Sequence, residues 1–132
     1  MILLVIDFIL KKINTFEKYN KSVGKIVEQQ LIKLGLLNQE DVAKQDENAP
    51  LYKKYFMHGT SHFLGLDVHD VGDFNRPLEA GMVFTCEPGI YIPQENLGIR
   101  IENDILITAN GPDDLMKNIP IEADEIEALM AK

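Results

Sequence analysis

All three histidines of this 132-residue chain fall within twelve positions, in the run His58-Gly59-Thr60-Ser61-His62-Phe63-Leu64-Gly65-Leu66-Asp67-Val68-His69-Asp70. Imidazole both binds metals and carries protons near neutral pH, so placing the whole supply in one segment points to one site. Two downstream segments carry carboxylates able to complete it: Glu87-Pro88-Gly89 and Gly98-Ile99-Arg100-Ile101-Glu102-Asn103-Asp104. Imidazole combined with carboxylates suits a divalent cation used to activate water in hydrolysis.

Each segment taken singly has a plainer reading. Glu87 ends the mostly apolar run Val83-Phe84-Thr85-Cys86, where a carboxylate is costly to desolvate without a cation or hydrogen bonds; a strand-end surface residue is the alternative. Strand alternation puts Ile99, Ile101 and Ile105 on one face and Arg100, Glu102 and Asp104 on the other, which a solvated sheet face would also explain. The histidine run does not match the zinc-binding helix pattern, because Gly59 stands where that pattern needs a glutamate. His62 and His69 are an odd number of residues apart and diverge on a straight strand; a bend at Gly65 lets them converge. Three histidines followed by two carboxylate segments favour a site over three unrelated surface residues.

The elements that must carry these residues are readable around them. Thr15 caps a helix running to about Leu34, with Phe16, Tyr19, Val23, Ile26, Val27, Gln30, Leu31 and Leu34 on a 3.6-residue period and Gly35 as its stop. A shorter helix is expected over Gln39 to Glu47, ended by Asn48-Ala49-Pro50, and a last one over Glu122 to Met130. Met82 to Ile92 and Ile99 to Thr108 read as strands, with Glu95-Asn96-Leu97-Gly98 as an antiparallel connection. The expected class is α+β, an antiparallel sheet flanked by helices.

Composition narrows the partners. With 21 acidic and 13 basic side chains the net charge is −8, which argues against a nucleic-acid surface. A single cysteine, Cys86, excludes an intrachain disulfide and fits a reducing cytoplasm. The apolar run Met1 to Leu10 is too short to span a bilayer and lacks a basic lead and a cleavage site, so no membrane is expected.

The run His58 to Gly72, then Leu78-Glu79-Ala80-Gly81-Met82-Val83-Phe84-Thr85-Cys86-Glu87-Pro88-Gly89, then Gly98 to Asp104, resembles aminopeptidase P, the Xaa-Pro aminopeptidases, over roughly Thr15 to the C-terminus. Prolidase, with the same pita-bread fold, is the nearest competitor. The resemblance implies a hydrolase that removes the N-terminal residue before a proline using two divalent ions, commonly manganese. It implies His62, Glu87 and Glu102 as metal ligands, Glu87 also as the catalytic proton carrier, His69 as a donor near the peptide carbonyl, and His58 beside the substrate's proline ring. Arg100 resembles a residue that orients a ligand carboxylate.

The family's two aspartate ligands lie upstream of the segment matching Thr15. Asp7, Asp41 and Asp46 precede His62, and none sits in the corresponding motif. The expectation is therefore a truncated metallopeptidase: residues 1–14 a non-matching apolar segment, residues 15–132 the C-terminal half of a pita-bread domain. Such a chain is expected to be inactive alone, to self-associate, and to require a missing N-terminal half-domain. The alternatives are a non-catalytic remnant or interaction module holding at most one metal, and a prolidase-type dipeptidase fragment.

Overall fold

A computed structural model describes residues 15–131. The first element, α1, is Phe16–Lys33. Thr15 stands in extended conformation at its start, its hydroxyl accepting the Lys18 N–H, as a β-branched N-cap does. At the other end Gly35 adopts φ +73°, and the N–H groups of Leu36 and Gly35 return to the carbonyls of Leu31 and Ile32. These two bonds satisfy carbonyls that the helix would otherwise leave open. The buried stripe is Phe16, Tyr19, Val23, Gly24, Val27 and Leu31, as the period requires. Leu34, expected on this stripe, is instead exposed: it is the C-cap, beyond the last turn that touches the sheet.

Helix α2, Gln39–Ala43, is shorter than expected from the sequence. Its continuation fails because Asp46 Oδ1 accepts the backbone N–H of Asn48, a local turn that competes with helical hydrogen bonding. A 3-10 turn at Leu51–Lys54 follows, and Tyr52 packs on Gly24, where an added Cβ would come within 2.6 Å of the tyrosine hydroxyl.

The strands are β1 (Val83–Cys86), β2 (Gly89–Ile92), β3 (Leu97–Arg100), β4 (Asn103–Thr108) and β5 (Gly111–Asp114). β1, β4 and β5 form one antiparallel sheet with β4 central, and β2 pairs with β3. The two expected strands are thus each interrupted once, at Glu87-Pro88 and at Ile101-Glu102. Cys86 pairs with Asn103 and Gly89 with Arg100. One register therefore runs through both pairs, and extending it across the break sets Glu87 opposite Glu102. Proline cannot donate to the ladder, which accounts for the interruption at Pro88. The connection falls earlier than expected: it is a 3-10 turn, Pro93–Glu95, closed by Asn96 in the left-handed region at φ 50°, and Leu97 and Gly98 already belong to β3.

Alternation divides the ribbon into two faces. Phe84, Cys86 and Ile105 point toward α1, where Phe16 meets Phe63 and Phe84 with ring centroids 5.3 Å apart in each case. Ile99 and Ile101 share that parity but remain exposed, because α1 covers the β1–β4 end of the ribbon and not the β2–β3 end. The final helix, α3, is Ala123–Met130, with Glu122 as its N-cap. Among the described residues no helix is long and apolar enough to cross a membrane.

Candidate metal centre

The opposite face collects the chemistry. The segment before β1 runs beside it as an extra strand: Phe63 bridges Phe84, Thr85 N–H donates to the His62 carbonyl at 3.0 Å, and Glu87 N–H donates to the Thr60 carbonyl at 2.8 Å. This register places His62 opposite Thr85. Thr85 and Glu87 share a face by alternation, and Glu102 joins them from across the ribbon. One ligand atom from each of His62, Glu87 and Glu102 lies within 4.8 Å of the other two. Three segments separated in sequence therefore supply one cluster.

Hydrogen bonds set its orientation. His62 Nδ1 lies 2.9 Å from the Phe63 carbonyl, which can only accept, so the ring proton sits on Nδ1 in the neutral form. Nε2 then turns its lone pair to Glu87 Oε1 at 3.4 Å. Glu87 is 8% exposed, a burial that a carboxylate tolerates only with partners. Thr85 Oγ1 donates to its Oε1 at 3.1 Å, and Arg100 Nη1 stands 3.4 Å from its Oε2. Arg100, expected beside one of the ligand carboxylates, stands next to that of Glu87.

His69 comes back over the cluster because the chain bends as Gly65 permits. Asp70 N–H donates to the Phe63 carbonyl, and the Asp70 carboxylate accepts the N–H groups of Leu66 and Val71. A side chain at Gly65 would overlap that carboxylate. The closed loop brings the rings of His62 and His69 to 4.2 Å between centroids, with His69 exposed.

His58 lies at the same face, beside Tyr91. Its Nδ1 donates to the Gly59 carbonyl at 2.7 Å, leaving Nε2 to accept the Tyr91 hydroxyl at 2.9 Å. Tyr91 can lie along the ribbon because Gly89 and Gly98 flank it: an added Cβ would come within 2.8 Å of its Oη at the first and 2.9 Å of its Cδ1 at the second. Sequence reasoning missed Tyr91 and Thr85. Both share Glu87's parity, four residues after it and two before, which is the signal that could have found them.

Asp41 and Asp46 stay outside the cluster. Asp41 is bound into α2 beside Asn38, and Asp46 holds its own turn. Asp7 lies outside the described residues. Cys86 faces the core, and burial pushes its thiol up to about 12, so it stays protonated near neutral pH and offers no thiolate ligand.

The residues fit a divalent cation on physical grounds. Two carboxylates directly opposite each other repel, and a histidine lone pair is aimed at one of them. A cation is the group that all three converging acceptors would favour.

The chain belongs to metallopeptidase family M24, whose model matches residues 5–109. Its homologues are Xaa-Pro aminopeptidases. The chain is 46% identical over 120 residues to the Xaa-Pro aminopeptidase of Escherichia coli, covering 82% of this chain and 27% of that protein. It is 36% identical over 118 residues to human Xaa-Pro aminopeptidase 3, covering 81% and 23%. Among solved structures, a putative aminopeptidase P from Bacillus anthracis matches 98% of this chain and 30% of its own, with TM-score 0.79 and 39% identity. Zinc-substituted E. coli aminopeptidase P in complex with product matches 98% and 32%, with TM-score 0.77 and 38% identity. The α+β arrangement is therefore that of the pita-bread fold, and the chain spans less than a third of the length of these relatives. Family membership implies a divalent metal.

Proposed function

We propose that residues 15–132 supply the C-terminal half of a pita-bread catalytic unit that cleaves the N-terminal residue preceding proline. His62, Glu87 and Glu102 are its share of the metal ligands, and manganese is the physiological ion. The observation that carries this reading is the convergence of three ligand atoms within 4.8 Å from three separate segments. Two further ligands, aspartates, come from polypeptide outside this segment.

A divalent cation held here would polarise a scissile carbonyl and make a water more acidic. The chain's own residues do the rest. Glu87 accepts the proton of the attacking water and delivers it to the departing amine, its carboxylate held by Thr85 and Arg100. His69, beside His62, donates to the substrate carbonyl oxygen, where negative charge develops. His58, fixed by Tyr91, lies against the substrate's proline ring. The single thiol, buried and protonated, suits a reducing cytoplasm.

Alone, the chain has three ligands among its described residues and little or no peptidase activity. It self-associates through apolar surface such as Leu97 and Ile99, which are 44% and 59% exposed. That same surface favours the second reading, an interaction module holding one metal. Manganese titration and cleavage of a Xaa-Pro peptide, by the chain alone and then mixed with the upstream half of a relative, separate the two. Restored cleavage on mixing supports the half-enzyme. Metal binding with no cleavage in either case supports the module, and a monomer by light scattering refutes the self-association.

A further inference from the structure

We propose that Thr85 is a positioning residue that sets His62 and Glu87 as one unit; this rests on reading those two residues as metal ligands. The Thr85 side chain is buried, the residue being 1% exposed. Its Oγ1 accepts the backbone N–H of His62 at 3.1 Å and lies 3.1 Å from Glu87 Oε1. A hydroxyl has one proton. Because an ionised carboxylate can only accept, that proton goes to Glu87, and the relay runs in one direction from the His62 amide through the threonine to the carboxylate.

The backbone reinforces the link, since Thr85 N–H also donates to the His62 carbonyl at 3.0 Å. Two hydrogen bonds thus tie residue 85 to residue 62, and a third ties it to residue 87. Oε1, the atom that Thr85 holds, is the same one that faces His62 Nε2 at 3.4 Å. With Arg100 on Oε2, both oxygens are engaged and the carboxylate plane is fixed. Threonine serves here better than serine because its branched Cβ restricts χ1.

The test compares the parent chain with Thr85→Ser, which keeps the hydroxyl, and Thr85→Val, which keeps the shape and removes it. In the metal-free proteins, amide hydrogen exchange at His62 should accelerate at least about tenfold in the valine variant, while Val27 in α1 keeps its parent rate. Titration with Mn2+ alone should show affinity weakened about 10- to 100-fold by valine and less than about threefold by serine, the range expected when an outer partner of a ligand is lost. If the valine variant does not fold, Thr85→Ala makes the same comparison. A parent that binds Mn2+ with a valine variant of equal affinity overturns the positioning role and leaves the metal-ligand reading standing. A parent that binds no Mn2+ overturns metal binding by this chain alone, and the His62 exchange rate then decides whether Thr85 makes the link.

Discussion

The two faces of the β1–β4 ribbon are made from alternate residues of the same strands and are held together by opposite means. On the α1 face, Phe84 and Ile105 are at most 1% exposed and pack against helix side chains in a neutral, close-packed layer. On the other, Glu87 and Glu102 face each other across the strand break, beside a histidine whose Nε2 lies 3.4 Å from Glu87 Oε1. The first face lowers the free energy of folding by itself. The second is arranged for a ligand, and its strength as a site depends on the first keeping it in register. A shift of one residue in β1 would exchange the two sets.

Breaking the core face should produce the largest effect. Phe84→Ala removes a ring that touches Phe16 and Tyr19 and should cost about 3–5 kcal/mol of unfolding free energy in urea titration. It should reduce metal binding only in proportion to the unfolded fraction.

The next effect is a pH dependence of the same face. Burial raises the Cys86 thiol from its ordinary 9.0 to about 12, and burial also raises the Tyr19 hydroxyl well above its usual value. Below about pH 9 the thiol is protonated in both the folded and unfolded chain, so its contribution is fully present. Between pH 9 and 12 the unfolded chain releases its proton first, and stability falls as pH rises. Denaturant midpoints measured along this alkaline limb should decline steeply in the parent and less steeply in Cys86→Ala.

A smaller effect is expected at the edge of the site. Tyr91→Phe removes the hydroxyl bonded to His58 Nε2, so stability should change by about 1 kcal/mol or less. The nitrogen-15 shifts of the His58 ring should move, and those of His62 should not.

How much of this was legible in the sequence follows the same division. The 3.6-residue stripe from Phe16 to Leu31 and the alternation in the strands identified the core face, and the resemblance to aminopeptidase P implied His62, Glu87 and Glu102 as a group. The capping of α1 by Thr15 and Gly35 was legible because both act through local backbone geometry. β5 was not: Gly111-Pro112-Asp113-Asp114 lacks the branched and aromatic residues that signal a strand, and it forms by pairing with β4 at an open edge. The inward role of Thr85 was hidden for a related reason. Alternation tells which face a side chain takes, and only the pairing of β1 with the His62 segment tells what it reaches.

The facing carboxylates are held together for a cation and not for the stability of the fold. Glu102→Gln tests it by thermal unfolding with and without Mn2+. Replacing one of two opposed carboxylates should leave the metal-free melting temperature unchanged or raise it slightly, consistent with a gain of about 0.5 kcal/mol. The upward shift that Mn2+ produces in the parent should shrink or vanish, since a ligand that binds only the folded state stabilises it in proportion to its affinity. A lower metal-free melting temperature together with an undiminished Mn2+ shift would contradict the claim.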